Sequence, residues 1–386
     1  MKIGFIFDNH PSDVRYSVTR VSSRICSALA RWGDEIVAFY PVRKPTPPSM
    51  WEGIKVVPVV CDWRARSPRL GAFELPYRVA GLLDSSYDVV ICTAELGATP
   101  LFNRARELGM VSVDWLHGIV YWFLRFSQRT ALKDLAGLAV ERVALPRIEM
   151  FNARRADLVV ACSNRNREDL IKHYKVPSSR IAVLRNGFDP VAPGTEEERS
   201  RAREVLKLDP NCRYASFVGA AAYRKGIDVL QEAVRMARKR GLPWRILNVG
   251  NRKGDSDEEI GYGYVDEEMK RRIMIASDAF VFPTRYEGSP LPIPEAAALG
   301  LPIVATPDAC IDVGVPGKDY LLVPTGNPSA LADTLELLYR HPEQAREIAA
   351  SGHKTFSTWT WEDQARGLRQ VLRDALANSH GKKQSE

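Results

Sequence analysis

Long apolar runs are missing from this sequence. Nowhere in its 386 residues do about 18 apolar residues follow one another, so no transmembrane helix is expected. The start, MKIGFIFDNH, passes from one Lys into a strand-like run without a small-residue cleavage site, unlike a signal peptide. Cysteine is scarce: Cys26, Cys61, Cys92, Cys162, Cys212 and Cys310, none of them in a C-x2-C pair. That argues against a zinc site or a disulfide framework and suits buried thiols in a reducing compartment. There is no repeat of 20–50 residues, which excludes solenoids and propellers. A G-x-G-x-x-G string is lacking too. Its nearest approach, Gly261-Tyr262-Gly263, has no third glycine and lies mid-domain, so a nicotinamide-dependent dehydrogenase is disfavoured. Neither charge sign dominates: 54 Lys+Arg against 47 Asp+Glu give +7. Such a balance admits nucleic acid, an anionic membrane face or phosphorylated substrates without choosing among them, and a nucleic-acid role resting on charge alone is set aside.

What is present is strand-helix alternation. Apolar, often β-branched runs recur at Lys2–Asp8, Glu35–Tyr40, Ile54–Val60, Asp88–Thr93, Val111–His117, Leu158–Ser163 and Ile181–Leu184. A second series follows at Tyr214–Val218, Arg245–Val249, Ala279–Pro283, Ile303–Thr306 and Tyr320–Val323. Continuous rather than alternating hydrophobicity is the pattern of parallel strands covered on both faces. Helix-like stretches intervene, among them Val18–Arg31, Arg165–His173, Ile227–Lys239 and Pro328–Tyr339. The expectation is an α/β fold with parallel sheets. The pattern breaks at DPVAPGTEEERSRAREVLKLDPNC, which suits a linker with one exposed helix. This gives domains over 1–188 and 189–360, followed by a helix and a polar, disordered tail within 361–386, the tail starting at Asn378.

The segment after His117 is rich in aromatics and arginines. From Gly118 to Arg155 seven basic residues (Arg125, Arg129, Lys133, Arg142, Arg147, Arg154 and Arg155) face three acids (Asp134, Glu141 and Glu149). Basic residues among exposed aromatics suit an anionic membrane surface or an acidic acceptor. The plainer reading, a half-buried helical hairpin with a solvated basic face, is preferred.

The most informative stretch is AFVFPTRYEGSPLPIPEAAALGLPIVAT, Ala279–Thr306. A buried strand ends at Pro283, a polar turn holds Glu287, Gly288 and Ser289, and Pro292 and Pro294 lead into a helix whose first turn carries Glu295. Ligands of open α/β sheets bind at strand carboxyl ends beside helix N-termini. The N–H groups of Gly288, Ser289 and Leu291 suit phosphate oxygens, although a carboxylate at a helix start also serves simply to complement the helix dipole. The stretch resembles the signature of GT-B retaining glycosyltransferases of family 4 (glycosyltransferase group 1): two glutamates eight residues apart, then E-A-x-A-x-G-x-P-[IV]-[IV]-A-T. The resemblance implies that Glu295 binds the ribose hydroxyls of a nucleotide, that Glu287 contacts hydroxyls of the donor sugar, and that the amides between them meet sugar and diphosphate.

The resemblance extends along the chain. SFVGAAAYRKGIDVLQEA is similar to the family's V-G-R-x4-K-G-x-D-x-L, with Gly219 in its loop and Lys225 on the lysine that grips the diphosphate. Ala220 stands where the family has an arginine, and Arg224 is the candidate to compensate. ADLVVACS, VLRNGFDP and FSTWTWEDQARGL also match, the last as the start of a helix crossing back to the N-terminal domain. GYVDEEMKRRIMIASDAFVFP places Tyr264 and Val265 beside the nucleobase. His117, ending a strand in VDWLHG, matches the histidine that reaches the donor sugar; outside the resemblance it reads as a hydrogen-bonded core residue. Tyr16-Ser17 replaces the usual Gly-Gly after the first strand, so the acceptor side is expected to be remodelled around these two residues. The stretch from Gly250 to Gly261 is short, as though one helix were trimmed.

The resemblance therefore implies two Rossmann-like α/β/α domains facing a central cleft, and a retaining transfer from a nucleoside diphosphate sugar to an acceptor hydroxyl. Catalytic parts fall to Glu287, Lys225 and His117, with no metal and no cofactor beyond the donor. Carbohydrate, lipid-linked or small-molecule acceptors all fit, as do a place in cell-envelope polysaccharide biosynthesis and a cytoplasmic location, peripheral at the inner membrane face. A non-catalytic GT-B partner is the alternative that the departures at Ala220 and Tyr16 keep open.

Overall fold

The computed structural model describes the chain apart from residues 15, 63–67, 94–96, 127–134, 221–222, 251–252 and 384–386, and apart from the side chains of 68–72, 135–141 and 380–383. The described residues divide into two compact units. One is drawn from Met1–Leu124, Ala131–Gly187 and Trp361–Glu386, the other from Arg125–Thr130 and Phe188–Thr360.

The first unit is built on an eight-stranded sheet: β1 (Lys2–Ile6), β2 (Glu35–Val42), β3 (Ser49–Trp51), β4 (Ile54–Val60), β5 (Val89–Thr93), β6 (Val111–Leu116), β7 (Leu158–Ala161) and β8 (Ile181–Val183). Their order is β3-β4-β2-β1-β5-β6-β7-β8, parallel except for the antiparallel β3. β5, β6 and β7 are buried at every residue, which is why their sequences are apolar throughout. The chain leaves β1 toward β2 through α1 (Ser17–Arg31) and crosses in the other direction, from β4 to β5 and from β5 to β6, through α2 (Pro68–Ala80) and α3 (Thr99–Leu108). Right-handed crossovers put α1 on the opposite face from α2 and α3. A short α4 (Val120–Arg125), a long α5 (Leu135–Arg155) and α6 (Asn164–Tyr174) follow. Arg129, Lys133 and Asp134 of the basic segment, and the side chain of Glu141, lie outside the described residues.

The second unit carries a seven-stranded sheet: β9 (Arg213–Val218), β10 (Trp244–Val249), β11 (Lys253–Asp255), β12 (Glu259–Gly263), β13 (Ala279–Phe282), β14 (Ile303–Ala305) and β15 (Leu321–Leu322). The order is β11-β12-β10-β9-β13-β14-β15, with β11 antiparallel. Its helices are α7 (Glu196–Val205), α8 (Ile227–Lys239), α9 (Glu267–Ile275), α10 (Pro292–Ala298), α11 (Pro328–Arg340) and α12 (Pro342–Phe356). β9 has β10 on one side and β13 on the other, so strand order reverses at β9 and opens a crevice at its carboxyl end. Where the sequence suggested a trimmed helix, the hairpin β11–β12 occupies the stretch.

The last helix, α13 (Trp361–Lys383), packs on α1 and β6 of the first unit. Ala365, Leu368 and Leu372 are buried there, and Arg369 pairs with the buried Asp34 at 2.8 Å. The helix runs on through Lys383, past Asn378, where the sequence suggested disorder. No proline interrupts this stretch, and a helix anchored on one side propagates easily. No described helix is long and apolar enough to cross a membrane.

Candidate active site

Two loops of the second unit meet at the carboxyl ends of β9 and β13. The first leaves β9 through Gly219 and turns as a single 3-10 turn over Tyr223–Lys225. The second leaves β13 through Pro283 and runs to α10. Gly226 sits at φ +74°, and a Cβ there would stand 1.9 Å from the Pro283 carbonyl oxygen, so only glycine allows the loops to approach. The Arg224 carbonyl then accepts from Arg285 N–H at 2.7 Å and from the Thr284 hydroxyl at 2.9 Å. Arg285 grips Asp228 through two bonds of 2.8 and 2.7 Å, with its guanidinium 3.7 Å from the Tyr223 ring centroid.

This stitching turns Arg224 and Lys225 onto one carboxylate. Glu287 is 8% exposed and receives Lys225 Nζ at 2.5 Å and the Arg224 guanidinium, which also donates to the Tyr286 carbonyl at 2.7 Å. The two cations are mostly buried, not a solvated pair on a turn. Burial pulls the Lys225 ammonium below its usual range, partly opposed by Glu287. Two cations on one carboxylate leave a net positive charge where β9 and β13 end, suited to an anion. Glu287 is itself fixed by its backbone: its N–H donates to Asp308 at 3.0 Å, and its carbonyl accepts from the Cys310 thiol at 2.9 Å. All six cysteines are free thiols and five are buried.

Glu295 lies apart from this cluster, in the first turn of α10, and pairs with Lys270 of α9 at 2.9 Å. Sequence reasoning missed Lys270. In the string EEMKRR a lysine reads as part of a solvated face, and its spacing three residues after Glu267, which it also contacts at 2.7 Å, strengthens that reading. Gly288 and Leu291 are buried and Ser289 is half-buried in the connecting turn. Tyr264, just past β12, is 83% exposed, while Val265 packs against the core.

His117 belongs to the first unit, at the end of β6. Its ring stacks on Trp115 at 5.6 Å between centroids, and its Nε2 is buried without a hydrogen-bond partner among the described residues. Burial pulls its pKa down to about 4, so the ring is neutral at pH 7. The loop after His117 is held from α5: the buried Glu149 carboxylate accepts from Val120 N–H at 2.8 Å and from the Tyr174 hydroxyl. Burial pushes the Glu149 carboxyl up to about 7, and pushes buried Asp114 of β6 well above its usual range with the Glu149 charge adding to the effect. Tyr16 caps α1 through its backbone and is exposed, with Ser17 opening the helix. No group of metal-ligating side chains occurs among the described residues.

Residues 18–191 match glycosyltransferase family 4, and residues 212–341 match the glycosyl transferases group 1. A D-inositol 3-phosphate glycosyltransferase of Rhodococcus erythropolis is 30% identical over 82% of this chain and 78% of its own length. The chain belongs to glycosyltransferase family 4. The namesake from Corynebacterium urealyticum is 29% identical over 56% of this chain, an alignment that spans 57% of that protein. Among solved structures, Anabaena HepE in complex with UDP and glucose superposes with a TM-score of 0.72 over 97% of this chain and 100% of its own, at 17% identity. This likeness is one of fold, the GT-B arrangement of two Rossmann-like sheets.

Proposed function

We propose that this glycosyltransferase moves a sugar from a nucleoside diphosphate sugar to an acceptor hydroxyl with retention of configuration. The observation that carries the proposal is the convergence of Lys225 and Arg224 on Glu287 at the carboxyl ends of β9 and β13. In this reading the two cations bind the donor diphosphate, with Arg224 serving in place of the arginine that Ala220 lacks. Glu287 accepts from sugar hydroxyls, and Glu295, backed by Lys270, accepts from the ribose. The amides of Gly288, Ser289 and Leu291 and the Gly219 loop line the phosphates, and Tyr264 and Val265 flank the base. His117, neutral, hydrogen-bonds a hydroxyl of the transferred sugar. Tyr16 and Ser17 belong to the acceptor side. The glycosidic C1–O bond to the diphosphate breaks as the acceptor oxygen bonds to C1, and the acceptor proton passes to the departing phosphate. Stabilising the leaving group and positioning the reactants supply the rate.

The names of the relatives support a hydroxylated acceptor, and the UDP held by HepE supports a uridine donor. Because side-chain cations meet the diphosphate, the reading requires no metal, and EDTA is expected to leave the rate unchanged. Free cysteines support a reducing compartment such as the cytoplasm. A thermal-shift screen against UDP, GDP, ADP and TDP and their sugars tests the donor site. One nucleotide should stabilise the protein, by about 2.7 kcal/mol at 100 times its Kd, and Glu295→Ala should abolish the shift. The absence of any shift would instead favour a non-catalytic member of the fold.

A further inference from the structure

The first unit carries an apolar groove of about 510 Å³ between α2, the start of α3 and α5, lined by Phe73, Tyr77, Pro100, Ile148 and Phe151 with Arg147 beside them. Its floor at Gly97–Pro100 lies between β5, which ends at Thr93, and the body of α3, so the groove opens at the carboxyl edge of the sheet. On α5 the residues Arg147, Ile148, Phe151 and Asn152 form one stripe, at the spacing that puts helical neighbours on a single face. Tyr77 and Phe151 are 66% and 57% exposed. A soluble surface rarely leaves two large aromatics standing over a concave apolar floor. Arg147 is exposed and has no carboxylate partner among the described residues; its guanidinium makes only a long contact to Val143 O in its own helix.

The groove is tied to the loop of His117. Asn152, at its inner end, accepts from the Thr99 hydroxyl at 2.6 Å. One turn earlier on the same helix, Glu149 holds Val120 N–H, three residues after His117. A single stretch of α5 thus shapes the groove on one face and fixes the His117 loop on the other.

We propose that this groove binds the alkyl or isoprenoid chain of an amphiphilic acceptor, and that Arg147 pairs with the phosphate at the head of that chain. The inference rests on the glycosyltransferase reading and sharpens its acceptor class. The occupant is a chain rather than a polyol because the lining is side-chain carbon with few polar atoms to meet hydroxyls. It is anionic at one end because the charge at the rim is an arginine that no carboxylate of the described residues pairs.

The test uses the full chain with dodecyl phosphate below its micelle concentration, with dodecyl maltoside as a neutral chain and inorganic phosphate as a bare anion. Dodecyl phosphate should bind the unmodified protein at least tenfold more tightly than either Tyr77→Asp or Phe151→Asp, both substitutions of exposed side chains. Arg147→Glu should weaken dodecyl phosphate at least tenfold and leave dodecyl maltoside unchanged, and inorganic phosphate should not compete at millimolar concentration. Equal binding by all variants, competition by inorganic phosphate, or a dimer in light scattering that Phe151→Asp dissolves would each overturn the proposal. Hydrolysis of the nucleotide sugar by the unmodified protein is followed separately. If it persists while dodecyl phosphate fails to bind, the groove inference falls and the glycosyltransferase reading stands.

Discussion

A single carboxylate, Glu287, carries more of this site than its neighbours, because both nearby cations lean on it. Removing Lys225 deletes one charge and leaves Arg224 as the one of these two cations on Glu287 and, under the proposed function, on the donor diphosphate. Lys225→Ala should lower kcat/KM for the donor by about 10²–10³, the usual loss for one electrostatic contact to a developing oxyanion. Arg224→Ala should cost less, and the double variant should fall short of the product of the two losses because they share a partner. Steady-state donor hydrolysis measures all three. Lys225 and Glu287 were each singled out by a separate motif. Their pairing was not, because they stand some sixty residues apart in sequence and meet only where Gly226 lets one loop touch Pro283.

At the scale of elements, α5 carries a titration that reads out on the loop after β6. Glu149 is neutral in the folded state up to about pH 7, whereas a free glutamate ionises near 4.5. A pKa raised on folding adds stability that is fully present below the unfolded value and is lost as pH rises through the folded one. Asp114, facing Glu149 and raised in the same sense, adds to the slope. Glu149→Gln keeps an acceptor for Val120 and Tyr174 but cannot ionise. The variant should match the parent near pH 4.5 and exceed it at pH 9 by about 2–3 kcal/mol, read from denaturant midpoints at the two pH values. A parent and variant with parallel pH curves would remove Glu149 from this role. Elements differed in how openly the sequence declared them. Ile54–Val60 was plain from its run of valines, while Ser49–Trp51, Lys253–Asp255 and the glycine-rich EIGYG of β12 lack the apolar run that marks a strand. Their pairing comes from neighbours already in the sheet.

For the molecule as a whole, the strand-helix alternation foretold two parallel sheets, and the motif spacing foretold which sheet carries the cationic turn. What the sequence did not disclose was contact between side chains far apart along the chain: Lys270 with Glu295, Arg285 with Asp228, and the aromatic groove on the first unit. Those depend on register and helix rotation, which hydrophobic pattern fixes only to within a face. A far greater distance in sequence separates α1 from α13. Deleting residues 361–386 removes Trp361, Leu368 and Leu372 from a buried surface and strips Asp34 of its arginine. The first unit should then melt well below the second, giving two transitions in calorimetry, with the second sheet and its Glu287 loop keeping their original one. Translation gives this arrangement a further meaning. The strands of the first sheet are synthesised before those of the second, yet the helix that covers one of its faces is made after every strand of the other sheet. The second sheet, built from one uninterrupted stretch, is free to fold before α13 has been made, and the earlier-made sheet must wait with a greasy face uncovered for a helix not yet synthesised.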